Sequence, residues 1–170
     1  MIIAGTGHRP NKLGGYDQQN FHNLVKFAGV RLVQQEPDLV VSGTALGWDM
    51  ALLVAARKLD YRVQAAVPFE GFDKNWHYGT RQFWNAWVES CSEVVVLKDL
   101  GQDFQYYDVV KALDERNRYM VDMSDSMMAL WNGTKGGTAN CIRYAQNRKV
   151  VVENHWYYWE RSRFNKDRIC

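Results

Sequence analysis

The residues of this chain best suited to chemistry are Gly133, Lys135, Gly136, Gly137, Thr138 and Asn140. They crowd into the stretch Trp131-Asn132-Gly133-Thr134-Lys135-Gly136-Gly137-Thr138-Ala139-Asn140. An apolar run, 126–131, precedes the stretch, and Cys141-Ile142-Arg143-Tyr144-Ala145 continues it as a helix. A strand, a glycine turn and a helix in that order bring unpaired N–H groups and the positive end of a helix dipole together, which suits a phosphate. Gly136 and Gly137 lack a Cβ and let the backbone come close to a ligand. Thr138 can cap the helix and offers a hydroxyl, and Lys135 is either a mobile counter-charge or a solvated turn lysine.

Two further turns share this character. Gly5-Thr6-Gly7-His8-Arg9-Pro10 follows a short apolar strand, although it holds only the first half of a GxGxxG dinucleotide fingerprint. Ser42-Gly43-Thr44-Ala45-Leu46-Gly47 follows the apolar run 38–42, and Trp48-Asp49 then opens a helix. Thr6 and Thr44 present hydroxyls, Arg9 a cation, and His8 either donates to a phosphate or ribose or bonds its own loop. The candidate catalytic carboxylates are Asp49 and Glu70. Asp49 sits where it can cap its helix or hold a ligand hydroxyl. Glu70, in Pro68-Phe69-Glu70, lies on a loop just past a strand, where functional residues gather. Arg116 can clamp a phosphate bidentately or pair with Asp114 or Glu115 on its own helix. Trp48 and Trp76 either stack on a base or pack internally. Asp122 and Asp125 precede the fifth strand, at the opposite sheet edge, and read as structural.

These turns need a frame. Apolar runs at 2–4, 38–42, 62–67, 93–97, 126–131 and 149–152 read as strands. Between them, helical spacing marks 21–32, 48–58, 78–90, 107–121 and the segment after 138. Strands that are apolar throughout and alternate with helices imply an α/β fold: a Rossmann-like, doubly wound, mainly parallel sheet of about six strands with helices on both faces. All three glycine turns then fall at the carboxyl ends of strands, where such sheets bind ligands.

The 170 residues suffice for one buried core, expected over 1–153, with an aromatic and basic tail over 154–170. An apolar content of 46% with 24% charged residues is that of an ordinary soluble domain, and a net charge of +2 does not by itself argue for nucleic acid. No apolar run reaches bilayer length and no leader pattern opens the sequence, so a cytoplasmic protein without a membrane partner is expected. Three cysteines without CxxC spacing and four scattered histidines indicate no metal and no cofactor, and no GxSxG is present.

Taken together, Gly5 to Pro10, Ser42 to Asp49, Val67-Pro68-Phe69-Glu70, Arg116-Asn117-Arg118-Tyr119-Met120-Val121 and Ser124 to Ala145 resemble the YpsA-like branch of the SLOG superfamily. That superfamily includes the LOG phosphoribohydrolases, the DNA-processing protein DprA and nucleotide-sensing immunity domains. The resemblance implies a Rossmann-like fold that binds a nucleotide-like small molecule at Gly5, Thr6, Gly7, His8, Arg9, Ser42, Gly43, Thr44, Gly47, Trp48, Arg116, Asn117 and the main turn. It also implies a homo-oligomer. Glu115-Arg116-Asn117 is similar to a Glu-Arg-Lys segment of the LOG enzymes. Their PGGxGTxxE signature aligns on Gly137-Thr138 and puts its carboxylate at Asn140 or Cys141, where this chain has none. An oxocarbenium-like transition state needs a fixed negative charge that an amide cannot supply. Asn140 is therefore read as orienting a ligand, and binding is favoured over nucleoside monophosphate N-glycoside hydrolysis. The tail, with Trp156, Tyr157, Tyr158, Trp159 and four cations, suits either single-stranded nucleic acid or packing, and packing is favoured.

Overall fold

Strands and helices alternate along the computed structural model, which describes residues 1–164. The strands are β1 (Ile2–Gly7), β2 (Leu39–Ser42), β3 (Val63–Val67), β4 (Glu93–Val96), β5 (Ser126–Leu130) and β6 (Val151–Asn154). The helices are α1 (Gln18–Gln35), α2 (Trp48–Lys58), α3 (Tyr78–Glu89), α4 (Tyr106–Met123), α5 (Gly137–Asn147) and α6 (Trp156–Phe164). All six strands pair in parallel, in the order β4-β3-β2-β1-β5-β6. This is the doubly wound α/β fold that the apolar runs imply.

The winding follows from the hand of each crossover. The connections through α1, α2 and α3 step outward from β1 to β4, whereas α4 returns the chain to β5 and α5 carries it on to β6. Right-handed crossovers therefore put the first three helices on one face and the next two on the other. Successive residues of a strand point to opposite faces, so Ile3 and Val40 join one core layer while Ala4 and Val41 join the other. The first layer holds α1, α2 and α3; the second holds Met120 and Val121 of α4 with Cys141 and Ala145 of α5.

Helix α2 is the innermost, with Trp48 through Ala56 all buried. It lies hard against β1 because Gly7 has no side chain: a Cβ there would fall 2.6 Å from Trp48 Cβ. The Trp48 ring is fully buried and its indole N–H donates to the carbonyl of Met128 at 3.0 Å. Asp125 accepts from the Ile2 N–H at 2.6 Å, and Asp122 receives the Tyr144 hydroxyl and Arg148, which gives both carboxylates structural roles at the amino-terminal sheet edge.

The start of the aromatic tail is helical and packed. Trp159 is 1% exposed and meets Phe27 edge-on at 5.4 Å, and Trp156 meets His8 edge-on at 5.7 Å. Tyr157 and Tyr158 stay exposed. Residues 165–170, including Lys166 and Arg168 of the tail cations, lie outside the described residues. Among the described residues, no helix is long and apolar enough to cross a membrane.

Candidate functional site

Strand order reverses between β1 and β5, so the chain leaves these neighbouring strands in opposite directions and a crevice opens above them. A cleft of about 350 Å³ occupies this point, between the turn after β1 and the turn after β5, with α4 as its third wall. It collects Thr6, Gly7, His8, Arg9, Asp49, Arg116, Asn117, Lys135, Gly136, Gly137 and Thr138 from the sequence candidates. Among the described residues four cations and one carboxylate line it: Arg9, Lys12, Arg116 and Lys135 against Asp49.

The β5–α5 turn forms its open, glycine-rich side. Gly136 occupies the N-cap of α5 at φ 144°, a conformation open to glycine, and no side chain caps the helix. A Cβ at Gly133, Gly136 or Gly137 would meet nothing within 4 Å, so the backbone lies open. Thr138 donates its hydroxyl to the Gly7 carbonyl at 3.1 Å and ties the helix start to β1. The first-turn N–H groups of α5 therefore face the cleft without a side-chain competitor. The N-terminus of α2 differs: the Trp48 N–H donates to the His8 carbonyl at 3.2 Å, so backbone already covers it.

His8 holds the turn in place. It is 6% exposed, its N–H donates to the Leu130 carbonyl, and its Nε2 lies 2.6 Å from Asn132 Oδ1. That oxygen also accepts from the Thr134 N–H at 3.1 Å and from the Thr134 hydroxyl at 2.7 Å, which identifies it as the amide oxygen and places the proton on Nε2. With Nε2 donating, the Asn132 N–H, 3.1 Å from the same nitrogen, finds no free lone pair there. Lys12 adds a second tie by donating to Thr134 Oγ1 at 2.8 Å. Burial pushes the His8 pKa below the usual histidine range, against the Asn132 bond, and burial and Arg31 push His155 the same way. Well above the ordinary histidine value of about 6.5 both residues are neutral in folded and unfolded chains alike. As pH falls below that, the unfolded chain takes up protons that the folded chain resists, and stability drops. The denaturant midpoint of the wild-type chain should therefore lose ground to that of His8→Gln as the pH is taken from about 7.5 to about 5.5.

At the buried end of the cleft Arg116 reaches from α4 across the turn after β2. Its Nη1 donates to the Gly43 carbonyl and lies 3.4 Å from Asp49 Oδ2, and its Nε donates to Asn117 Oδ1 at 3.1 Å. Both partners of the pair are about 6% exposed at the side chain. Gly43 leaves room for them, since a Cβ there would sit 2.6 Å from Asp49 Oδ2. Burial raises the Asp49 carboxyl pKa, opposed by Arg116 and Arg9. Ser42 braces the same corner by donating to the Asp49 carbonyl at 2.8 Å. Thr44 beside it is buried at φ 60°, and its hydroxyl has no partner among the described residues.

Several candidates lie elsewhere. Glu70 is exposed on the turn after β3, two strands from the switch point, with its N–H bonded to the Lys98 carbonyl. Asn140 is exposed on α5 and its amide oxygen meets Arg143 at 3.4 Å, because Cys141 and Ala145 take the sheet-facing side. Gly5, Ser42, Gly43, Thr44, Gly47 and Trp48 build the packing behind the cleft and are not among its lining residues. Trp76 packs on Phe72 and Trp84. Conversely, Asn11, Lys12, Ala45, Leu113 and Thr134 line the cleft although they are not among the sequence candidates. Lys12 and Asn11 follow the first glycine turn, which is a signal within reach; Leu113 carries none.

With this geometry in place, three similarities are informative. The chain is 26% identical over 117 residues to the SPbeta prophage-derived protein YoqJ of Bacillus subtilis, covering 62% of this chain and 68% of that one. Its fold is similar to that of DNA processing protein A from Streptococcus pneumoniae, with a TM-score of 0.63 at 17% identity, covering 88% of this chain. It is also similar to DNA processing protein A from Helicobacter pylori, described for its single-stranded DNA binding, with a TM-score of 0.60 at 19% identity over 89% of this chain. The chain spans about half of the first of these two proteins, 48%, and 63% of the second, and at these identities the likeness shows the fold alone. Residues 3–161 match the YspA SLOG family, and the chain belongs to that family.

Proposed function

We propose that this chain binds a nucleotide or nucleotide-derived small molecule in the switch-point cleft, with a phosphate on the start of α5, and that it senses or sequesters this ligand. The observation that carries the reading is the uncapped, open N-terminus of α5 facing a cleft in which four cations outnumber one carboxylate. Backbone N–H groups supply direction, and Arg9, Lys12 and Lys135 supply charge. The family match supports the same reading. Mass spectrometry of small molecules co-purified with the chain, followed by calorimetric titration, tests it. A nucleotide that binds saturably and is recovered intact supports the reading. The absence of binding across nucleoside mono- and diphosphates and NAD derivatives sinks it. Gly136→Ala, which forces a side chain into φ 144°, should weaken that binding by roughly ten-fold or more.

A second reading, N-glycosidase action on a nucleoside 5'-monophosphate, is favoured by one specific feature. Among the described residues Asp49 is the one carboxylate lining the cleft, and its ion pair with Arg116 fixes a negative charge there. Release of free base by the wild-type chain would establish hydrolysis over plain binding. Single-stranded DNA binding through the tail has less support, since Trp156 and Trp159 are engaged in packing.

A further inference from the structure

Helix α4 carries a stripe that the fold leaves partly uncovered. Tyr106, Val110, Leu113 and Asn117 recur at i, i+4, i+7 and i+11, which puts them on one helical face. The lower two line the cleft. The upper two stand in solvent, Tyr106 83% exposed and Val110 44% exposed. Because α4 follows the carboxyl end of β4 through the loop 97–105, its first turns lie on the ligand side of the sheet. A rise of about 1.5 Å per residue puts Tyr106 roughly 10 Å along the axis from Leu113, beyond the cleft rim. Tyr107, 72% exposed, is rotated about 100° off the stripe.

The cleft is thus two-sided. Its α5 side presents N–H groups and cations; its α4 side presents Leu113 and then an apolar ladder with an aromatic ring at the top. A ligand matching both sides has an anionic end and a flat, weakly polar end. The geometry points to α4 as the base-binding wall: the nucleobase lies over Leu113 and Val110 with its face on the Tyr106 ring. This inference rests on the nucleotide reading and adds where the base goes. Asn117 contributes at the foot of the wall. Its amide oxygen is occupied by Arg116 Nε at 3.1 Å, which leaves the amide N–H₂ to donate to a base or ribose oxygen. Stacking tolerates any base, so this wall selects for an aromatic group and leaves base identity to other contacts.

Calorimetric titration of the full chain with AMP, GMP, CMP and ribose 5-phosphate tests the inference, with Tyr106→Ala, Tyr106→Trp and Tyr107→Ala compared at equal protein concentration. Tyr106 is so exposed that its replacement leaves the fold intact. Tyr106→Ala should weaken the best-bound nucleotide by about ten-fold and leave ribose 5-phosphate unchanged. Tyr106→Trp should restore the nucleotide, and Tyr107→Ala should change neither. Equal weakening of nucleotide and ribose 5-phosphate, or no weakening of either, overturns the base wall while leaving nucleotide binding in place. So does a dimer, seen by sedimentation, that Tyr106→Ala dissociates at unchanged nucleotide affinity, since a second copy then covers the stripe. Failure of the wild-type chain to bind any of the four, or any nucleoside diphosphate or NAD derivative, overturns both readings.

Discussion

Replacement of Arg116 by methionine is expected to cost about 3–5 kcal/mol of folding stability. Arg116 is 5% exposed, and its guanidinium bonds the Gly43 carbonyl, Asp49 and Asn117 from one position. Methionine fills much of the same volume, so the loss is electrostatic: Asp49 remains buried with its main counter-charge gone. The uncompensated carboxyl responds by protonating. A group whose folded pKa lies above its unfolded value adds stability that is present at low pH and lost as pH rises through the folded value. Burial already pushes Asp49 in that direction, and removal of Arg116 pushes it further. The deficit of Arg116→Met relative to wild type should therefore be largest near neutrality and shrink as the pH is lowered. Paired denaturant titrations at two pH values measure this. Adding Asp49→Asn to Arg116→Met should recover part of the loss, because a neutral amide no longer needs the cation. A deficit independent of pH, or strict additivity of the two substitutions, would show that the pair is not coupled in this way.

Trp159→Ala is expected to destabilise the chain by an amount near the low end of about 3–5 kcal/mol. The ring is 1% exposed and meets Phe27 at 5.4 Å within the layer that holds α1 and α2. Its indole N–H has no partner among the described residues, so truncation also removes an unsatisfied donor, which places the expectation at the low end. Trp159→Phe should retain most of the stability. The same loss should loosen Trp156 from His8, and with it the turn that presents the α5 N-terminus. The measurement is a denaturant midpoint together with the rate of proteolysis across α6. An unchanged midpoint in Trp159→Ala would mean that α6 adds nothing to the core.

Much of the frame is legible in the residues alone. Six apolar runs correspond to six strands, and helices α1 to α5 lie within a few residues of where their spacing puts them. Periods of 2 and 3.6 are set by the local backbone, so a run of residues carries them unaided. The glycine turn at 133–137 is equally legible, because a strand, turn and helix in sequence are contiguous in space. The two packed tryptophans of the tail show the opposite case, since Trp156 and Trp159 repeat too briefly to announce a helix, and the partners that order them lie far back along the chain, at His8 just past β1 and at Phe27 in α1.

The contents of the cleft are decided only by the tertiary fold. Glu70 and Asp49 follow strands in the same way, yet the order β4-β3-β2-β1-β5-β6 leaves one two strands from the switch point and brings the other into it. Gly5, Gly7 and Gly43 read as phosphate glycines from their spacing. At Gly7 the missing Cβ admits helix α2, and at Gly43 it admits the Arg116–Asp49 pair. Lys12 meets Thr134 across 122 positions of sequence, and Leu113 joins the wall from the middle of α4. Periodicity says which side of an element faces the core. Which elements become neighbours depends on strand order, and strand order is settled by packing between segments far apart in the chain.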